Sequence, residues 1–236
     1  DVPRIAFYTN SNSGRAMDVL YDEVYQSHPE YSHLWFNWEG KPMIIGNSSE
    51  ASTAVRQFFR IKENQWPNDG NKKEDGMPWM EFHRSLTQDA IYTYNGKKII
   101  NVSVAQHNVT CRMSAAAWYG AGDRTRSYSD GFVKKDEDAV QYGYNFAEQW
   151  EFALANDPDL IFITGFNEWI AQRQPANASE PIVFVDNASM EASRDTEPMR
   201  GGYGDNYYLQ MVEYIRRFKG TQSDVPTDNA ATIDID

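Results

Sequence analysis

Leu160-Ile161-Phe162-Ile163-Thr164-Gly165-Phe166-Asn167-Glu168-Trp169 changes character at its centre. The first half is a continuous apolar run of strand length, entered from Asp157-Pro158 and left at a glycine. An uninterrupted apolar run of that length fits a strand covered on both faces, as in a parallel sheet between helices. The second half turns polar at once and sets Asn167 and Glu168 just beyond the strand's C-terminal end.

The same alternation extends outward in both directions. Before this strand, residues 136–156 carry Val140, Tyr144, Phe146, Trp150 and Leu154 at helical spacing, and Asp157-Pro158 stops the helix. After it, Ile182-Val183-Phe184-Val185-Asp186 reads as a second buried strand, and Asp205 caps a last helix over 206–219 closed by Gly220. Nearer the start, Ile5-Ala6-Phe7-Tyr8-Thr9-Asn10 is a strand with a polar end, followed by a helix over 15–26 with Met17, Leu20 and Val24 on one face. Leu34–Trp38 and Pro42–Gly46 flank a Glu39-Gly40-Lys41 turn, and a helix covers roughly 50–59. The stretch 58–66 reads either as a strand or as the end of that helix, and 67–78 as an exposed loop. Trp79–His83 is a short strand or an inward-dipping loop, and Asn95-Gly96 turns a hairpin between 91–94 and 97–101. Val102–His107 is a further short strand, and 108–135 is too long for a simple connector.

Strands alternating with helices place the chain in the α/β class with a parallel sheet. The length of 236 residues approaches that of a (β/α)₈ (TIM) barrel, yet only about six strands are countable where closure needs eight. The expectation is therefore the C-terminal portion of a barrel over 1–220, its first two or three βα units upstream of Asp1, with a linker-like tail at 221–236. A doubly wound open sheet is the alternative, but no G-x-G-x-x-G follows a strand and no G-K-[ST] occurs, so no nucleotide site is expected.

Composition narrows the function classes. The net charge of −12 disfavours nucleic acid and anionic membrane surfaces as main partners. Cys111 is the only cysteine and the 4 histidines are scattered, so no internal disulfide, metal or other cofactor is expected. No apolar run approaches the ~20 residues of a membrane span. The aromatics, 7 Trp, 14 Tyr and 12 Phe, fall largely in polar loops, where their flat faces suit sugar rings. Five N-x-[ST] triplets, at Asn47, Asn101, Asn108, Asn177 and Asn187, fall mostly beside strands and are read as chance.

In parallel barrels the chemistry sits at the C-terminal strand ends. Here those ends carry Asn10, Asn47, His107, Asn167-Glu168 and Asp186, with Glu81 and His83 if 79–83 is a strand. Glycosidic cleavage requires a proton donor for the leaving oxygen and a second group on the opposite face of the sugar. Glu168 is the lead acid/base, because Trp169 beside it would desolvate the carboxyl and favour its protonated form. An ion pair with Arg124 or Arg173 is the competing role for it. Asp186 and Glu81 are candidates for the second carboxylate, unless that partner lies upstream of Asp1. Asn167, Trp169, His107, His83, Trp79, Trp118 and Arg124 are candidate substrate contacts, with Tyr119 and Trp66 as further platforms. Glu191, Asp195 and Glu197, interleaved with Arg194 and Arg200, read as a solvated loop network.

The run Ile161 to Trp169 resembles the W-N-E-W strand end of endo-α-mannosidase-like and WbsX-like bacterial barrel domains. Gly40-Lys41-Pro42, Pro3–Phe7 and Asp205-Asn206-Tyr207-Tyr208 are similar to other landmarks of that group, while Phe166 stands where its motif has Trp. The resemblance implies a (β/α)₈ glycoside hydrolase without a required metal, acting on an oligosaccharide or polysaccharide, commonly α-linked. It implies Asn167, Glu168 and Trp169 as site residues, a secreted, periplasmic or cell-surface location, and further domains in the same polypeptide. A non-catalytic carbohydrate-binding barrel and a polysaccharide-biosynthesis protein are the competing functions.

Overall fold

The structure is a computed structural model that describes residues 2–66, 69, 71–80, 86–106, 124–170, 173–174, 183–184 and 189–220. Its strands are β1 (Phe7–Tyr8), β2 (Asn37–Trp38), β3 (Lys41–Gly46), β4 (Arg60–Gln65), β5 (Gly76–Pro78), β6 (Ile91–Tyr94), β7 (Lys97–Ser103), β8 (Tyr128–Ser129), β9 (Phe132–Val133), β10 (Leu160–Thr164), β11 (Arg173–Gln174) and β12 (Val183–Phe184). Its α-helices are α1 (Ser13–Val19), α2 (Thr53–Phe58), α3 (Tyr144–Ala155) and α4 (Asn206–Lys219).

Six of these strands are parallel to a neighbour and follow one another in chain order. The strands β1, β3, β4 and β5 form one parallel series, with β2 added as an antiparallel hairpin arm on β3. The strands β7 and β10 form a second parallel pair, with β6 returning antiparallel to β7 through the Asn95-Gly96 turn. Asn95 and Gly96 both take positive φ, as a two-residue hairpin turn requires. The Asn101 side chain on β7 reaches the Trp79 main-chain oxygen just past β5, at 3.4 Å, and so links the two sheets.

The period-2 alternation of the strands divides the apolar residues between two sides. Ile44 on β3 faces outward, into a cluster with Met17, Tyr25, Trp35, Val55 and Phe59 under α1 and α2. Its neighbours Met43 and Ile45 face inward, joining Met77, Tyr92, Ile99, Tyr8 and Phe162. On β7, Ile100 and Val102 face outward against α3 and α4, whose Phe146, Trp150, Tyr207 and Tyr214 complete the third cluster. Each fully buried side chain of this size contributes about 1.5–3 kcal/mol. The interior is apolar at the level of Ile45 and Ile99 and becomes amide-rich toward the C-terminal ends, where Asn64 and Asn101 are buried.

Several elements differ from the sequence expectation. The helix over 15–26 is α-helical only to Val19 and continues as a π-helix over Leu20–Gln26. The second helix is short, and Arg60–Gln65 is a strand, one of the two readings of 58–66. The exposed-loop reading of 67–78 is overturned at its end, because Gly76–Pro78 is a buried strand paired with β4. Residues 97–103 form one strand where two were read. The helix expected over 136–156 starts only at Tyr144, after Gly143 in the left-handed region, and its buried face includes Asn145 and Gln149. The run 160–164 is half-buried rather than fully buried, since β10 has a strand neighbour on one side only among the described residues. Val183–Phe184 pairs antiparallel with Arg173–Gln174 and is not a member of the parallel series. The last helix has the expected bounds, but Asp205 makes no side-chain cap bond. Residues 221–236 lie outside the described residues.

Candidate functional site

Within each parallel group the C-terminal strand ends lie together, the two groups meet through the Asn101–Trp79 bond, and Glu168 stands on this rim just past β10. The turn carrying Glu168 begins at Gly165, which has φ +79°. A Cβ built there would lie 2.3 Å from the main-chain oxygen of Arg194, so the position tolerates neither the conformation nor the volume of another residue. The close approach exists because residues 194–197 run alongside the turn. Thr196 donates its N–H to Gly165 O at 2.9 Å and its hydroxyl to the same oxygen at 3.1 Å, and Glu197 N donates to Phe166 O at 2.9 Å. Asp195 Oδ1 accepts the main-chain N–H of Glu168 at 2.5 Å, and Glu197 Oε2 accepts the Trp169 indole N–H at 2.7 Å.

Burial divides these groups. Asn167 and Glu168 are exposed, whereas Arg194 and Asp195 are buried, Asp195 at 0% exposure. The solvated-network reading of the 191–197 segment is thereby overturned. Arg194 and Asp195 are its buried charges, while the half-buried Glu191 accepts from Thr125 Oγ1, from Ser127 N at 2.8 Å and from Ser127 Oγ at 2.8 Å. The Arg126 guanidinium, itself 0% exposed, donates to Asp195 O at 2.7 Å and to Ser193 Oγ at 3.2 Å. It lies 4.3 Å and 4.2 Å from the ring centroids of Tyr203 and Tyr207, a cation–π clamp that offsets part of its desolvation. The expectation that Trp169 desolvates Glu168 also fails. Trp169 turns toward Glu197 and packs on the α3–α4 core, and Glu168 itself is exposed.

Two partly exposed indoles occupy the rim at the ends of β4 and β5. Trp66 and Trp79 meet edge to face, with ring centroids 4.9 Å apart and an interplanar angle of 71°. Arg194 joins them to the Glu168 turn, its backbone against Gly165 and its guanidinium 5.8 Å from the Trp79 ring centroid. Asn101 stiffens the floor between them, donating to Phe162 O at 2.9 Å and to Thr164 Oγ1. Near the first strand, Asn64 Nδ2 reaches Thr9 O at 3.0 Å and Asn10 Oδ1 at 3.4 Å. The buried Tyr8 hydroxyl, its pKa pushed up by desolvation, donates to Met77 O at 2.9 Å and accepts from Gln65 N at 3.2 Å. Arg124, read from sequence as a mouth residue, is only 6% exposed, with its guanidinium 3.9 Å from the Tyr128 ring centroid. Asp186, Glu81, His83, His107, Trp118 and Tyr119 lie outside the described residues.

The rim thus brings together Glu168, Asn167, Trp79 and Trp66 from the sequence-derived candidates, and adds Asp195 and Asn101. Asp195 escaped sequence reading because Glu191–Arg200 is charge-rich and lacks any apolar period, the usual mark of a solvated loop. Among the described residues no group of three or more His, Cys, Asp or Glu could hold a metal ion, and no helix is long and apolar enough to cross a membrane. A shallow depression of about 520 Å³ along α1, lined by Ser11, Asn12, Arg15, Ala16, Val19 and Leu20, shares none of the rim side chains.

No protein-family model, curated protein or solved structure matches the chain.

Proposed function

We propose that the chain is part of a (β/α)₈-type glycoside hydrolase, with Glu168 as the acid/base that protonates the leaving glycosidic oxygen. The observation carrying this reading is an exposed carboxylate on a hydrogen-bonded turn just past a strand, on the same rim as the Trp66–Trp79 pair. A carboxyl group there can meet a substrate, and partly exposed indole faces suit sugar C–H surfaces. The barrel reading draws support from six parallel strands in chain order, with Tyr8 of the first facing Phe162 of the last. The resemblance of residues 161–169 to endo-α-mannosidase-like domains points to an α-linked oligosaccharide or polysaccharide outside the cytoplasm as substrate.

Hydrolysis needs a second carboxylate about 5–10 Å from the first, to act as nucleophile or to activate water. Asp186 and Glu81 retain that role in this proposal. The non-catalytic, carbohydrate-binding reading is favoured by one observation: Asp195, which bonds the Glu168 main chain, is fully buried and cannot meet a sugar. One experiment separates the two. A glycan-array and hydrolysis screen of wild type and Glu168→Gln is expected to show sugar release by wild type alone. Binding without release by either protein would favour the binding module, and equal release by both would remove Glu168 from the chemistry.

A further inference from the structure

We infer that Asp195 is the positioning residue for Glu168, aiming the acid/base through its main chain without touching substrate; this rests on Glu168 being the acid/base. Four observations converge on it. The Asp195 carboxylate accepts the Glu168 N–H at 2.5 Å, so it fixes the peptide from which the Glu168 side chain departs. It is 0% exposed, which bars it from substrate and makes its aim independent of solvent. Its own backbone is immobilised by Arg126, also 0% exposed, and by the neighbouring bonds of Thr196 and Glu197 to Gly165 and Phe166. The turn it holds starts at a glycine pressed against Arg194 O, so the turn cannot move away without opening that contact. An exposed glutamate otherwise samples several rotamers on a mobile loop, and general acid catalysis requires the proton within hydrogen-bond reach of the leaving oxygen. Anchoring the residue's own amide removes the loop part of that freedom.

A positioning role predicts a loss that depends on how much the leaving group needs its proton. Departure of 2,4-dinitrophenolate needs none, whereas departure of phenolate does. The test uses Asp195→Ala and Asp195→Asn in the full chain, with two readouts. The first is hydrogen exchange of the Glu168 amide, which requires no substrate. Asp195→Ala is expected to raise the exchange rate about tenfold or more, and Asp195→Asn, whose carboxamide oxygen still accepts, to leave it protected. The second is hydrolysis of paired phenyl and 2,4-dinitrophenyl α-glycosides of the common hexoses. In Asp195→Ala, kcat on the phenyl glycoside should fall about tenfold or more while that on the dinitrophenyl glycoside falls about threefold or less. In Asp195→Asn the ratio of the two rates should stay within about threefold of wild type. Unchanged amide exchange in Asp195→Ala overturns the inference even if wild type is an active glycosidase. An equal loss on both substrates overturns it by showing a merely structural role. If Asp195→Ala does not fold, a changed rate ratio in an amide-protected Asp195→Asn overturns it by showing a role of charge and not of position. If wild type cleaves no glycoside while Asp195→Ala frees the amide, the assignment of Glu168 falls and takes Asp195's catalytic role with it, leaving only an anchor.

Discussion

The rings of Tyr8 and Phe162 stack at a centroid distance of 6.0 Å and an interplanar angle of 16°, although they sit on the first and last parallel strands among the described residues. A flat six-stranded array with β1 and β10 at opposite ends would separate them by about five strand spacings, or roughly 24 Å. Their contact sets both strands against one interior cluster that also holds Ile45, Met77 and Ile99.

That contact is testable by a double-mutant cycle on Tyr8→Leu and Phe162→Leu in urea unfolding. A coupling energy of about 0.5–1.5 kcal/mol is expected for the ring pair. The hydroxyl bonds of Tyr8 to Met77 and Gln65 are lost in both backgrounds and cancel in the cycle. A coupling indistinguishable from zero would mean that β1 and β10 do not face each other in solution.

Gly165 and Gly40 make a matched pair for the turn that carries Glu168. Both have positive φ, +79° and +84°, but only at Gly165 would a Cβ meet another backbone. Gly40→Ala should cost about 1–2 kcal/mol, the left-handed penalty alone. Gly165→Ala should cost about 3 kcal/mol or more, since the Arg194 oxygen must also give way. Equal losses in denaturant melts would show that the strap over 194–197 yields easily and does not define the turn.

The Glu168 strand end was legible in sequence because an apolar run followed by a glycine and polar residues is a local pattern. The Asn95-Gly96 hairpin and the closing Gly220 were legible for the same reason. Three features were not legible because they depend on which residues lie far away. Asn145 and Gln149 look like solvent-facing helix residues, yet they are buried where they bond the Arg124, Thr125 and Ser103 main chain across from α3. Gly76–Pro78 sits in a loop-like composition and becomes a strand only because β4 offers a parallel edge to pair with. Asp195 looks solvated and is buried because Arg126 and the Glu168 amide meet it in space.

The indole pair carries the next prediction. Trp66→Ala and Trp79→Ala should each weaken binding of the array-selected oligosaccharide about tenfold, the worth of one stacked ring lost. Tyr31→Ala is the control, an aromatic 43% exposed in the connection that leads into the opposite, N-terminal ends of the strands. Calorimetric titration giving the same affinity for all three variants would place the sugar elsewhere.

The pH dependence of stability should carry a signature from the contact between α3 and α4. Arg217 donates two bonds to Glu151, at 2.6 and 2.9 Å, while its guanidinium lies 4.8 Å from the ring of Tyr214, which stacks on Trp150. The bonds from Arg217 hold the Glu151 carboxyl below its ordinary range, against a smaller opposing effect of burial. A carboxylate with a folded pKa below its unfolded one stabilises the fold above the unfolded value, near 4.3, and loses that contribution as pH falls through the folded value. Glu151 is about half exposed, with 54% of its side chain open to solvent, so screening keeps the effect to about 0.5 kcal/mol at low salt. Glu151→Gln should therefore lower Tm slightly at pH 7, and the difference from wild type should shrink on acidification and disappear near pH 3. It should also shrink in about 1 M salt, where the Debye length falls to about 3 Å. A Tm difference that persists unchanged at pH 3 would assign the effect to packing of the Glu151 stem and not to its charge.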